Sequence, residues 1–419
     1  MNKFRTFLSV ALLLLFSFGF ASCDKNDDDN GTTVEESKNE TFTVTFSTDG
    51  GSEVASQTIE KGKTATKPHI DPTKNGFRFV GWYQGDEMFN FSTVITSSIE
   101  LTAKWVQLFT VTFATDGGSE VAAQRIEDGE TATMSATYTI KDGFALLGWY
   151  NGENKFNFET PISDDITLTA KWVKVPENCI PGVFSVSADK KVFFANGNLQ
   201  YDADNKKFQF AEHQYDFIGE SGANISDEGI RDLFGYGTWL EGGNPMNNSK
   251  NDDDYAWDNT KSSVMGEEWI TLSYEEYMYL VARDNELKCG VAEVNGVQGL
   301  ILLPDEWVLP EGITFKAGGY QEKDQWGYTR YGSQYYKIQN EYNLEQWSKM
   351  ENAGAVFFPA GGYRIGLDYD NRSCLANIWA STSGRTLHFF SYGVEEYSEN
   401  SRTILCSGQF VRLVRILQN

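Results

Sequence analysis

The sequence predicts a multidomain chain in which two small, mostly-β repeats precede a larger α+β domain, and two observations carry that prediction. The first is an internal repeat. The run Phe42, Val44, Phe46 leading into Asp49-Gly50-Gly51 recurs as Phe109, Val111, Phe113 leading into Asp116-Gly117-Gly118. Gly81-Trp82-Tyr83 recurs as Gly148-Trp149-Tyr150, and the stretch from Leu101 to Trp105 recurs from Leu168 to Trp172. Every matched pair is 67 positions apart, so each copy is one structural unit. The second is a change of texture after residue 182, where short strand-like runs mix with two segments of helical spacing. A chain of 419 residues, 40% hydrophobic and 14% aromatic, has material for two to four cores.

Within a copy, Phe42, Val44 and Phe46 alternate with Thr43 and Thr45, the period of a half-buried strand. Asp49-Gly50-Gly51 then supplies residues that tolerate positive φ in a turn. The same pattern predicts strands from Phe77 to Tyr83, Phe89 to Phe91 and Ile99 to Trp105, with a turn between Gly62 and Lys67. Trp82 and Trp105, at fixed places in both copies, read as core rather than ligand-stacking aromatics. In the last domain, strands are expected at Phe184 to Ser187, Val192 to Phe194, Leu199 to Tyr201 and Lys207 to Phe210. Ser273 and Glu276 form a capping box for a helix carrying Tyr277, Leu280 and Val281. Asn343 and Gln346 do the same for Trp347 and Met350, and Gly354 ends that helix.

The N-terminus reads as an export signal. Lys3 and Arg5 precede an apolar run from Phe7 to Phe20 that is too short to span a bilayer comfortably. Ala21-Ser22-Cys23 resembles the lipobox of bacterial lipoproteins, with Phe20 where Leu is usual. That resemblance implies that Cys23 is diacylated and becomes the new N-terminus, each buried CH₂ of the lipid contributing about 0.8 kcal/mol. The following acidic run, from Asp24 to Gly31, is a solvated tether and resembles the export signal of Bacteroidetes surface lipoproteins. The expected organisation is a signal peptide over 1–22, lipidated Cys and tether over 23–40, and repeats over 41–106 and 107–173. A linker over 174–182 and the α+β domain over 183–419 complete it.

A formal net charge of −24 excludes nucleic acid as a partner and electrostatic docking on anionic membranes. The expected membrane contact is the lipid alone. Besides Cys23 there are Cys179, Cys289, Cys374 and Cys406, an even number that permits disulfides in an exported chain. Of the possible pairs Cys374 with Cys406 is preferred, since both flank strand-like segments near the end of one domain; four reduced thiols packed as small hydrophobes is the alternative.

Two further resemblances concern the repeats and the last domain. The Thr-Val-Thr-Phe opening, the Gly-Trp-Tyr centre and the Leu-Thr-Ala-Lys-Trp close resemble the Listeria-Bacteroides repeat of internalin-B-type surface proteins. The resemblance implies a small β-grasp-like module used as a spacer or interaction unit. In the last domain, Gly299 to Trp307, Glu345 to Glu351, Gly354 to Arg364, Ile378 to Thr382 and Phe410 to Arg415 resemble the C-terminal domain of many Bacteroidetes surface lipoproteins. That domain is similar to a C-type-lectin-like or formylglycine-generating-enzyme-like fold.

No catalytic signature accompanies these resemblances. The Glu-Pro-Asn, Gln-Pro-Asp and Trp-Asn-Asp tripeptides of calcium-dependent lectins do not occur, and no Gly-x-Ser-x-Gly elbow is present. Nothing marks Cys374 or Cys406 as a low-pKa thiol. Asp252, Asp253, Asp254 and Asp258 could offer oxygen ligands to calcium but fit a solvated turn as well, so no metal and no cofactor are assigned. The expectation is a non-enzyme. Trp239, Trp257 and Trp326, in polar loops, are the candidate ligand contacts, whereas Trp269, Trp347 and Trp379 read as core. The favoured reading is a surface-exposed outer-membrane lipoprotein acting in binding or adhesion to a glycan or protein. The alternative is a structural or assembly component of the envelope or a pilus tip.

Overall fold

The structure, a computed structural model, describes residues 40–218, 229–234, 265–266, 268–282, 288–318, 338, 340–365, 368–370, 375–382, 385–390, 393–394 and 409–418. Among them are twenty-five strands, two α-helices and one short 3-10 turn, a mostly-β protein. The described residues divide into two compact units: one takes those up to Pro72 with Gly81–Lys104, the other Thr73–Val80 with those from Trp105 onward.

The first repeat is built from β1 (Thr41–Ser47), β2 (Gln57–Glu60), β3 (Phe77–Gln84), β4 (Glu87–Met88) and β5 (Ile99–Ala114). β1 runs antiparallel to β2 and parallel to β5, with Val44 opposite Ile99 and Ser47 opposite Thr102. The alternation works as expected: Val44 and Phe46 point inward with Leu101 and Ala103, and Thr43 and Thr45 outward. Trp82 is 2% exposed and meets Phe46 edge-on at 4.8 Å between ring centroids. Asp49 and Gly50 take φ of 48° and 83°, as the turn requires.

One expected strand is corrected. Phe89 to Phe91 do not form one; the ladder ends at Met88. The Phe89 amide still donates to the Trp82 carbonyl at 2.8 Å, but Asn90 then turns the chain, its side chain accepting from Ser92 N and its carbonyl from Thr93 N. The two rings close on each other edge-on at 5.1 Å, so an alternation that reads as a strand is an aromatic pair on an Asx turn. The closing strand also outruns its expected end at Trp105, continuing to Ala114.

The second repeat uses the last part of β5 with β6 (Gln124–Glu127), β7 (Phe144–Asn151), β8 (Asn154–Lys155) and β9 (Ile166–Lys174). Val111 lies opposite Ile166 in a parallel pair, the same register as Val44 with Ile99. Trp149, 1% exposed, meets Phe113 edge-on at 4.9 Å. β7 pairs antiparallel with β9, with a register shift between Leu146 and Gly148, where Gly148 has φ of 133°. Trp105 and Trp172 are half-buried rather than core, each with a lysine above the ring: Lys74 at 5.7 Å and Lys141 at 5.9 Å.

Residues between the second repeat and the last domain are tied down at both ends. Val175 N donates to Gly143 O, Cys179 bridges Ala195, and Ile180 N donates to Phe194 O with its side chain in the core. The last domain opens with β10 (Phe184–Ser185), β11 (Lys191–Phe194), β12 (Leu199–Asp202) and β13 (Lys207–Phe210), close to the expected positions. β14 (Ile230–Arg231), β15 (Trp269–Ile270) and α1 (Tyr274–Ala282) follow. Next come the hairpin β16 (Cys289–Val294) and β17 (Val297–Leu302), then β18 (Glu341–Tyr342), α2 (Leu344–Asn352) and β19 (Val356–Pro359). Both capping boxes form: Glu276 N donates to Ser273 Oγ and Ser273 N to Glu276 Oε2, and Asn343 and Gln346 exchange the equivalent bonds. Gly354, at φ of 94°, ends α2, with Gly354 N reaching Glu351 O and Ala355 N reaching Met350 O. The strand Val414–Ile416 returns to lie against β11 and β15, so the domain's two ends share one sheet. Trp269, Trp347 and Trp379 are buried as expected.

Removing the buried indole should cost a repeat more than removing the half-buried one. Trp149→Ala is expected to destabilise the second repeat by about 3–5 kcal/mol, and Trp172→Ala by distinctly less, measured by equilibrium denaturation of the two variants against the unsubstituted chain.

Candidate functional site

The residues singled out in the sequence as anchor, ligand contacts, disulfide partners or calcium ligands (Cys23, Trp239, Trp257, Trp326, Cys374, Cys406, Asp252, Asp253, Asp254 and Asp258) all lie outside the described residues. Among the described residues no three His, Cys, Asp or Glu side chains come together to hold a metal ion. No helix there is long and apolar enough to cross a membrane.

What the described residues do form is a cleft where the second repeat meets the last domain, with an empty volume of about 480 Å³ including its open mouth. One wall is the segment Thr137 to Ile140 with Trp172; the other is Pro181 to Val183, Pro304, Glu306 and Asn352. Trp172 is held by its Nε1, which donates to Thr115 O at 2.8 Å, and by contact with Gly118. A Cβ on Gly118 would lie 2.6 Å from the indole and 2.7 Å from Thr139 Oγ1, so the second glycine of the Asp-Gly-Gly turn is there for close approach. Thr139 Oγ1 donates to Ser119 O, and Ile140 N to Ser119 Oγ, fixing the wall to the turn. Burial raises the pKa of the Tyr138 hydroxyl. Across the cleft, Gly182 and Gly354 cross so closely that a Cβ on Gly182 would meet Gly354 O at 2.5 Å.

Beside the cleft the contact is apolar and ionic. Ala145, Val183 and Phe193 form one buried cluster, with Leu147, Val173, Val175, Cys179 and Leu417 packed against it. Lys155 pairs with Glu306. The loop that presents Glu306 is anchored by Asp305, whose carboxylate accepts from Ser185 N at 2.9 Å, Ser185 Oγ at 2.7 Å and Lys191 Nζ at 2.9 Å. Its carbonyl accepts from Lys288 Nζ. These residues belong to the Pro-Asp-Glu-Trp run recognised in the sequence, but their partners are far away in the chain and the pattern alone does not announce them.

Sequence reasoning missed the other polar centre entirely. Arg412, inside the closing Phe-Val-Arg-Leu-Val-Arg run, is fully buried. Its guanidinium donates to Asn198 Oδ1 at 2.9 Å, Ala195 O at 3.0 Å and Phe357 O at 2.8 Å, over the Phe358 ring. Burial pulls its pKa down to about 9, against the pull of Tyr277 and Glu351, which leaves it cationic at neutral pH. It joins three segments of the domain, a structural task.

Residues 42–104 and 109–171 match the Listeria-Bacteroides repeat domain, so the chain carries two such repeats. A protein of Evansella cellulosilytica named "Putative membrane protein" is 39% identical over 140 residues, 31% of this chain and 21% of its own length. Internalin H of Listeria monocytogenes is 30% identical over 153 residues, 34% of this chain and 27% of its own. The chain thus spans about a quarter or less of these relatives. A solved structure titled Streptococcal High Identity Repeats in Tandem (SHIRT) domains 3-4 from cell surface protein aligns over 32% of this chain and 99% of its own at 15% identity, with a TM-score of 0.12.

The cysteine at the joint should be chemically silent. Burial pushes the Cys179 thiol up to about 12, opposed only in part by Arg415, so almost no thiolate exists at pH 8. Alkylation with iodoacetamide at that pH, read by peptide mass spectrometry, should leave Cys179 unmodified in the native protein and modify it after denaturation.

Proposed function

We propose that this chain is a surface-displayed lipoprotein of the bacterial outer membrane that binds or adheres. Lipid on Cys23 holds it, the acidic tether and repeats carry it outward, and the last domain, in a C-type-lectin-like fold, recognises a glycan or a protein. It acts without catalysis and without a cofactor. The observation that carries this reading is the tandem pair of Listeria-Bacteroides repeats, in a chain similar to Internalin H, set before a larger, separately cored domain. The Bacteroidetes-type export run after Cys23 and the charge of −24 support display away from nucleic acid and anionic lipid.

Two experiments test it. A glycan and host-matrix array probed with the purified chain should give discrete signals that Trp326→Ala, Trp239→Ala or Trp257→Ala removes. A silent array together with co-purification of envelope proteins would favour a structural or assembly role instead. On fractionation, Cys23→Ala should leave the membrane; a variant that stays as firmly bound as the unsubstituted chain rules the lipid anchor out.

A further inference from the structure

Because the two repeats share one register, their surfaces can be compared position by position. Ala145, Leu147 and Lys155 of the second copy stand where the first copy has Arg78, Val80 and Met88. The fates of these side chains differ. Ala145 is 1% exposed beneath Val183 and Phe193, and Leu147 packs on the same cluster. Lys155 pairs with Glu306, whose loop is fastened by Asp305. In the first copy Val80 is 38% and Met88 61% exposed, and Arg78 grips the carboxylate of Glu127 with two bonds of 2.5 and 2.8 Å. Each face carries two apolar residues and one cation, but in the second copy the cation has moved from position 78 to the hairpin position of Lys155 and the arginine is replaced by a buried alanine, which leaves an apolar centre with a cation at its edge. A neighbour carrying Val183, Phe193 and an anchored carboxylate complements that face.

We infer that the second repeat is the mounting surface of the C-terminal domain, specialised for it at positions 145, 147 and 155, rather than a spacer equivalent to the first repeat. The occupant is this chain's own last domain, whose Val183, Phe193 and Glu306 form its side of the joint. The connecting segment 174–182 is then steadied by the joint: the Lys174 and Glu177 side chains are exposed, but the backbone beside them is pinned by Val175 N on Gly143 O and Cys179 N on Pro176 O, so proteases cut it faster when the domains part.

Limited proteolysis of the full chain reads that opening directly, with trypsin at Lys174 and a glutamate-specific protease at Glu177. Lys155→Glu and Glu306→Lys should each speed cleavage there by about fivefold, and the double charge swap should return it close to the original rate. Ala145→Arg, which installs the first copy's residue under Phe193, should open the segment further. Met88→Glu, the matching change in the first copy, should leave the rate unaltered. Single charge variants that cleave at the original rate would overturn the inference. So would a double variant as labile as the singles, or a Met88→Glu variant as labile as Lys155→Glu.

Discussion

A single extra residue in one strand lets the second repeat serve two cores. Side chains along a strand alternate faces, so Leu146 and Trp149, three positions apart, would ordinarily point to opposite sides. Both pack in the repeat's own core. The register shift between Leu146 and Gly148 reconciles them: one residue drops out of the ladder, and the alternation restarts on the other foot. Gly148 takes φ of 133° to do this, a conformation open to glycine and strained for other residues, and a Cβ there would lie 2.7 Å from Lys155 Cε. Ala145, ahead of the bulge, and Leu147, the residue that leaves the ladder, are thereby left on the far face, against Val183 and Phe193. The glycine of Gly-Trp-Tyr thus positions the indole inward and frees the other face for a neighbour.

That neighbour matters because of size. A module of about 65 residues buries a smaller share of its surface than a larger domain and is correspondingly marginal alone. Each copy meets the problem first with one large ring: Trp82 on Phe46, Trp149 on Phe113. The second copy adds the apolar contact of Ala145, Leu147 and Val173 with the last domain, at about 25 cal/mol for each Å² withdrawn from water. The last domain meets it differently, by returning its final strand to its first sheet and threading Arg412 into the seam. An arginine buried on carbonyl and amide oxygens is costly to desolvate. What it does in exchange is satisfy Ala195, Asn198 and Phe357 together, two acceptors from the turn after β11 and one from β19, which no apolar side chain could bond.

Features set by nearby residues were legible in the sequence. The capping boxes at Ser273 and Asn343, the glycine end at Gly354 and the positive-φ turn at Asp49 all follow from side chains within three or four positions of each other. So was the repeat register, because it is a comparison of the chain with itself. Phe89 to Phe91 misled because the spacing of two aromatics about one polar residue is the same in a strand and over an Asx turn, and only the turning bonds of Asn90 separate them. Arg412 was hidden for a related reason. An arginine between Val411 and Leu413 reads as the outward residue of an alternating strand, yet both faces of that segment are covered. The cleft was invisible because Pro304, Glu306 and Asn352 are brought to it from more than a hundred positions beyond Trp172.

The joint itself left a trace in the sequence, though not in either repeat taken alone. Two copies of one framework share the demands of folding, and what differs between them at equivalent surface positions reflects what each must face. Trp82 and Trp149 are identical because both answer to a core. Arg78 and Ala145 differ because one is 50% exposed and reaches for Glu127, while the other has no water to face. A charged residue at 145 would have to shed its hydration against the Phe193 ring, which is why the cation of this face stands instead at Lys155, where Glu306 meets it at the rim. Difference between repeats, in this chain, is a record of burial.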